Sequence, residues 1–257
     1  MPRGLSLKAV EEQVKLMDVE AALEHLAAME AEHGISLDKL VQKYTKRKAV
    51  LDKELARFEA MCRFEKAARM KGYTLIAGMD EAGRGPLAGP VVAAAVILPE
   101  NVFISGLNDS KKLSAAKRDA LFDEILEKAV DFGIGIADHQ CIDEINILQA
   151  TKQAMAIAIS QLNTQPELLL IDAVKLENVH IPQEAYIQGD ANSISIAAAS
   201  IIAKVTRDRL IDEMDGLYPQ YGFAKHKGYG TAEHIEAIRK YGPCPIHRNT
   251  FIKNFIV

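Results

Sequence analysis

The chain has 257 residues, of which 49% are apolar, 26% charged and 6% aromatic, with no Trp. That length suits one large domain or one domain with an extension, and the apolar share excludes global disorder and calls for a core of Ala, Ile, Leu and Val. A net charge of −4 excludes a uniformly basic chain, and the scattered Cys62, Cys141 and Cys244, with no CxxC pair, argue against a disulfide framework and a zinc site and fit a reducing compartment.

Residues 6–70 read as helical throughout. Val19, Leu23, Leu26 and Met29 recur at helical spacing, and Gly34 stops that helix. Ser36 is placed to cap a second helix running through Leu40, Tyr44, Leu51 and Leu55 to about residue 70. That helix carries Lys43, Lys46, Arg47, Lys48, Lys53 and Arg57. Residues 1–71 are therefore expected to form an N-terminal helical extension. At Gly72 the pattern changes. Residues 74–79 form a short apolar strand, 83–90 a Gly/Pro-rich turn and 91–98 a second apolar strand, an antiparallel hairpin. Ser114 caps a helix to about 131. A third strand spans 133–137, a long helix 143–162, a fourth strand 168–171, a fifth 185–187, and an Ala/Ile-rich helix 193–214. A tail from about 217 has loops and a helix near 231–241. The hairpin combined with crossover helices predicts an α/β fold, a mixed five-stranded sheet flanked by helices, over 72–257, with a C-terminal helical segment.

Charge is unevenly spread. Residues 1–71 carry 14 basic against 12 acidic side chains, 72–220 carry 11 against 21, and 221–257 carry 6 against 2. Basic ends around an acidic centre suit phosphate binding around a cation site, although ordinary solvated surface explains the same distribution. Residues 1–7 lack the apolar stretch of a signal segment, and the longest apolar run, near 90–99, is too short to span a bilayer. The expectation is a soluble, cytoplasmic protein with no membrane association.

Four carboxylates stand at or just past strand ends: Asp80 and Glu81 after strand one, Asp172 after strand four, Asp190 after strand five. Acids are common there as turn formers. Four together at a sheet's carboxyl edge, where clefts form, point further. Like charges there repel and raise one another's pKa, a penalty that bound Mg²⁺ or Mn²⁺ removes. Adjacent strand residues face opposite ways, so Asp80 and Glu81 share a site only if the chain leaves strand geometry at Glu81. The Gly-rich turn that follows is neither a dinucleotide loop, since prolines and a strand come next, nor a GK[ST] loop. Arg84 between Gly83 and Gly85 is able to offer a guanidinium to phosphate. Lys111 and Lys112 are either phosphate ligands or solvated surface. Lys204 and Arg207, three apart on one helix face, either bind phosphate or pair with Asp208 or Asp212, the structural role being favoured. His226, His234 and His247 lack zinc-ligand spacing.

The run Gly78-Met-Asp-Glu-Ala-Gly-Arg-Gly-Pro-Leu-Ala-Gly-Pro90 resembles the signature of the bacterial ribonuclease HII family. Asp109-Ser-Lys-Lys-Leu113, Leu170-Ile-Asp172, Gly189-Asp190 with the following run Ser195 to Asp208, and His226-Lys-Gly-Tyr-Gly-Thr231 are similar to its further motifs, in order. The helical extension lies outside the shared core. It is similar to that of longer bacterial members and unlike the N-terminal sheet domain of ribonuclease HIII. The resemblance implies a ribonuclease H-like fold and a metal-dependent endoribonuclease using Mn²⁺ or Mg²⁺. It implies Asp80, Glu81, Asp172 and Asp190 as catalytic metal ligands. Gly83, Arg84 and Gly85 would contact the ribose 2′-OH and adjacent phosphate, Tyr229 would stack on the sugar at the RNA-to-DNA junction, and Lys111 is a further candidate for binding substrate. The implied substrates are RNA–DNA hybrid and duplex DNA bearing single ribonucleotides, cut on the 5′ side by two-metal chemistry to leave 3′-OH and 5′-phosphate. A monomer with no required protein partner is expected. Rival readings are a DNA-only nuclease of the same fold and a non-enzymatic nucleic-acid-binding scaffold; the latter gains nothing from added negative charge.

Overall fold

The computed structural model describes residues 6–254; residues 1–5, part of the stretch read as lacking a signal segment, and the last three residues of the tail lie outside them. The chain divides into two compact units, residues 1–59 and 60–257.

In the first unit, α1 (Leu7–Val14) and α2 (Val19–His33) are separated by a turn that ends at Asp18, whose carboxylate accepts the Ala21 amide at 2.8 Å and caps α2. Gly34 ends α2 in the left-handed region, as its position predicts. Ser36 meets the start of α3 (Asp38–Met61) from two residues away: its hydroxyl donates to the Asp38 carboxylate and accepts the Asp38 amide at 3.5 Å. Val10, Val14, Leu26, Leu37 and Tyr44 pack into this unit's core. The expected single helix to residue 70 breaks at Cys62, and α4 (Arg63–Met70) follows in the second unit.

The second unit is built on five strands, β1 (Ile76–Ala82), β2 (Val91–Ile97), β3 (Asp131–Ala137), β4 (Leu168–Asp172) and β5 (Gln183–Tyr186), in the order β3-β2-β1-β4-β5. The β1/β2 and β2/β3 pairs are antiparallel; β1/β4 and β4/β5 are parallel. Between the strands run α5 (Ala115–Lys128), capped by Ser114, and α6 (His139–Ser160). After β5 come α7 (Ile194–Leu217), α8 (Phe223–His226), α9 (Ala232–Tyr241) and α10 (Asn249–Ile252). Among the described residues no helix is long and apolar enough to cross a membrane.

Helices α6 and α7 cover opposite faces of the sheet, which is why β2 is buried along its whole length and reads as an unbroken apolar run. Small residues set the spacing. A Cβ on Gly133 or Gly135 would lie 2.0 Å or 1.9 Å from an α6 carbonyl oxygen, and one on Gly78 would lie 2.0 Å from the Ser195 carbonyl carbon of α7. Backbone atoms cannot swing aside as a flexible side chain can. Gly78→Ala is therefore expected to destabilise the fold by about 3 kcal/mol or more, read as a lower midpoint in thermal or urea unfolding; a wild-type midpoint would refute the close approach.

Three further departures from the sequence reading bear on the site and its supports. The chain does not leave strand geometry at Glu81: Glu81 and Ala82 still pair with Ala93 and Val92, and the turn begins at Gly83, at φ 99°. α6 starts at His139 because Asp138 caps it, and Asn146, at φ 69°, breaks it internally while its side chain accepts the amides of Leu148 and Gln149. β5 ends at Tyr186, leaving Ile187 exposed.

Candidate active site at the carboxyl edge of the sheet

Alternation along β1 puts Ile76, Gly78 and Asp80 on the α7 face, and the same parity along β4 puts Leu168, Leu170 and Asp172 there. Gly78 and Met79 sit opposite Leu170 and Ile171, so Asp80, two residues before the end of β1, and Asp172, the last residue of β4, stand at the same level on neighbouring parallel strands. Asp190 arrives separately, in a short 3-10 turn (Gly189–Ala191) before α7. One oxygen from each of Asp80, Asp172 and Asp190 lies within 4.8 Å of the others. The turn and the strand are tied directly, the Gly189 amide donating to Asp172 Oδ1 at 2.9 Å.

The electrostatics are those of crowded acids. Burial, then the charges of Glu81 and Asp172, push Asp80 well above the usual carboxylate range. Burial, then Asp109 and Asp172, push Asp190 up. Glu81 lies outside the close triad. Burial raises it, while Arg84, 3.1 Å away, pulls it back. Its Oε2 is buried with no hydrogen-bond partner. An all-oxygen donor set, acids held against their own repulsion and one orphaned carboxylate oxygen together fit a hard divalent cation. Lys111 stands 3.7 Å from Asp190; burial pulls its amine down, but Asp190, Asp80, Asp109 and Asp172 outweigh that and raise it.

The Gly-rich turn flanks this cluster. A Cβ on Gly85 would meet the Tyr229 ring at 3.6 Å, so these two predicted residues are neighbours, and Tyr229 is 46% exposed. Two buried arginines hold the turn by its carbonyls. Arg207 donates to Pro90, Ala88 and Lys227, and Arg248 to Gly83, Arg84, Gly89 and Pro90. Burial lowers the guanidinium groups to about 10 and about 9, which leaves both charged at neutral pH. The carbonyls of Gly83 and Arg84 are thus turned to Arg248. Among the described residues the amides of Arg84 and Gly85 have no protein acceptor.

Arg207 has the structural role favoured from sequence, with carbonyls as partners; Lys204 is the residue that pairs with Asp208, at 2.6 Å. Arg248 gave no signal. Nor did the histidine pair behind Tyr229. The Tyr229 carbonyl accepts from His234 Nδ1, whose Nε2 therefore accepts from His247 Nε2 at 3.0 Å, and His247 Nδ1 accepts the Cys244 amide. Burial lowers both rings to about 4, so this neutral relay persists at physiological pH. Ser110 and Ser200 form a further buried pair at 2.7 Å, and Ser200 pulls the raised Asp80 carboxyl partly back down.

A family model described as ribonuclease HII matches residues 77–254, and one described as ribonuclease HII N-terminal domain matches 36–69. The chain belongs to the ribonuclease HII family. It is 60% identical over 254 residues to ribonuclease HII of Acetivibrio thermocellus, covering 99% of each chain, and 54% identical over 252 residues to that of Ruminiclostridium cellulolyticum, covering 98% of each. A crystal structure of ribonuclease H2 from Pyrococcus horikoshii OT3 is similar at a TM-score of 0.61 and 28% identity, over 70% of this chain and 96% of that one. The ribonuclease H-like fold and the membership agree, and the chain is a metal-dependent endonuclease of ribonuclease H type.

Proposed function

We propose that this chain hydrolyses the RNA strand of RNA–DNA hybrids and cuts on the 5′ side of single ribonucleotides in duplex DNA, leaving 3′-OH and 5′-phosphate. It would act as a cytoplasmic monomer without an obligatory protein partner. The observation that carries this reading is the triad of Asp80, Asp172 and Asp190 oxygens within 4.8 Å, beside the Gly83–Gly85 backbone and Tyr229. Asp80, Asp172 and Asp190 are the residues proposed to hold Mg²⁺ or Mn²⁺; Glu81, although β1 keeps strand geometry there, is proposed as a fourth ligand because its side chain feels the Asp172 charge and its Oε2 is buried without a partner. When bound, two such ions supply an activated water and stabilise the charge on the departing 3′ oxygen.

The chain's own groups account for selectivity. Telling RNA from DNA requires contact with the 2′-OH. The unpaired amides of Arg84 and Gly85, on a turn that Arg207 and Arg248 hold rigid, are suited to that contact. The exposed Tyr229 ring offers a flat face to the sugar, and the histidine relay fixes its backbone. Arg84 and Lys111 balance charge on the acids and are placed to hold a phosphate that brings its own negative charge.

The test is a defined duplex with one ribonucleotide, compared with the same duplex in DNA alone, each with and without divalent ion. Cleavage is expected only with both ribose and metal present. Asp172→Asn should lower it by about a thousandfold or more. Full cleavage by Asp172→Asn, or equal cleavage of the all-DNA duplex, would overturn the reading.

A further inference from the structure

Two of the three clustered carboxylates are held by the sheet: Asp80 sits within the β1/β2 ladder and Asp172 ends β4. Asp190 lies outside the sheet, and its turn is linked to it through the Gly189 amide on Asp172 Oδ1. It lies in a turn that opens at Gln188, a non-glycine residue at φ 57°, so its position depends on whatever braces residues 188–195.

The brace comes from α4. Glu65, 5% exposed, accepts the Ser193 hydroxyl and the Ser195 amide, at 2.5 and 3.0 Å. Ser193 is itself the cap of α7, accepting the Ile196 amide. Glu65 thus satisfies an otherwise orphaned amide at the start of α7, where the helix dipole favours a negative charge. Two residues earlier along the chain, Arg63 donates to Asn192 Oδ1 at 2.9 Å, and Asn192 donates to the Gln188 carbonyl at 2.8 Å. Phe64 stacks on Tyr186 with ring centroids 3.7 Å apart, and Lys71 pairs with Glu184 at 2.7 Å. Every one of these contacts lands on residues 184–195, on both sides of Asp190.

We infer that α4 is the positioning element for Asp190, with Glu65 as the principal positioning residue and Arg63 as its support, and that it thereby sets the affinity of the three-carboxylate site for divalent ions. This rests on the reading of that site as the metal site. Glu65 touches no substrate and no reacting atom. It acts by keeping Asp190 within reach of Asp80 and Asp172, because a carboxylate displaced by even an ångström is a poorer ligand. The helix that follows the arm on this account positions the carboxylate site from outside it, although it precedes the first strand.

The experiment uses the full chain and measures Mn²⁺ binding by calorimetry, alongside cleavage as a function of Mn²⁺ concentration. Glu65→Ala is expected to weaken Mn²⁺ binding about tenfold, and to move the half-saturating Mn²⁺ concentration for cleavage equally, with kcat at saturating Mn²⁺ within about twofold of wild type. Glu65→Gln keeps an acceptor oxygen and should restore binding to within about threefold. Glu167→Ala is the structural control, since Glu167 accepts the Thr74 and Leu75 amides and the Thr74 hydroxyl just before β1. It should lower thermal stability and leave Mn²⁺ affinity unchanged. If Glu65→Ala loses stability but binds Mn²⁺ as wild type does, the inference is overturned while the metal site stands. If Asp80→Asn and Asp172→Asn also bind Mn²⁺ normally, the metal reading itself fails. Arg63→Ala, which removes an exposed bond, covers the case in which Glu65→Ala does not fold: about threefold weaker Mn²⁺ binding supports the inference, and unchanged binding refutes it.

Discussion

Asp80→Asn is expected to abolish cleavage, by about a thousandfold or more, and at the same time to raise the melting temperature of the metal-free protein at neutral pH. The two effects share one cause. The Asp80 carboxyl is buried and pushed well above the usual range, and Glu81 and Asp190 are also raised, each first by burial. A carboxyl whose folded pKa exceeds its unfolded value binds more protons in the native state than in the unfolded one. Stability then falls as pH rises from the unfolded value, near 4, through the raised one. Above the unfolded value the cluster works against the fold, because its acids either carry charge beside one another or hold protons that the unfolded chain would release, and an isosteric amide removes one of them. Divalent ions reverse the sign, since they bind the deprotonated acids and should stabilise the wild type more strongly as pH rises, releasing protons as they bind. Calorimetric melting of wild type and Asp80→Asn from about pH 4 to about pH 8, with and without Mn²⁺, separates these contributions. Identical metal-free curves for the two proteins at neutral pH would show that the acids are not in conflict.

The parts of this molecule that could be read along the chain are those governed by local rules. The run from Val91 to Ile97 announces a strand buried on both faces, and it is one. Ser114 and Ser193 cap helices where a hydroxyl precedes an apolar period, and Gly34 ends one. Asp80 and Asp172 were legible as site candidates because the carboxyl end of a buried strand has few other places to go. Local rules also misled. Glu81 stands just before a Gly-rich turn, which suggested that the strand had ended, but pairing with β2 carries β1 on to Ala82 and the positive φ falls on Gly83. Asn146 breaks α6 by capping its second half, which a helical period across residues 143–162 conceals. What stayed hidden depends on distance along the chain. Glu65 meets Ser193 and Ser195 about 130 residues away, and the arginines meet their carbonyls 117 to 165 residues away, except for Lys227. A buried charge with backbone partners leaves no periodicity. In sequence Arg248 is one more basic residue in a basic tail.

Arg248 is also where the largest loss of stability is expected. Its guanidinium donates to Gly89 at 2.9 Å, Arg84 at 3.0 Å, Gly83 at 2.6 Å and Pro90 at 3.2 Å. Arg207 also serves Pro90, so truncation at 248 leaves the carbonyls of Gly83, Arg84 and Gly89 without that donor. An unsatisfied buried carbonyl costs about 1–3 kcal/mol, and partial relaxation of the turn toward water recovers some of that. Arg248→Met, which preserves much of the buried volume, should therefore destabilise the protein by about 3–5 kcal/mol. Arg248→Lys should recover only part, because an ammonium has three donors on one atom and cannot span the fork. The functional signature should be selective. Asp80 precedes the turn within a paired strand, so Mn²⁺ affinity at a temperature where the variant is folded should stay near wild type. The amides of Arg84 and Gly85 lose their anchor, so KM for a duplex with one ribonucleotide should rise about tenfold or more and kcat should fall with it. A folded Arg248→Met protein with wild-type KM would mean that the turn keeps its shape without the guanidinium, and the proposed reading of the 2′-OH by its backbone would lose its physical basis.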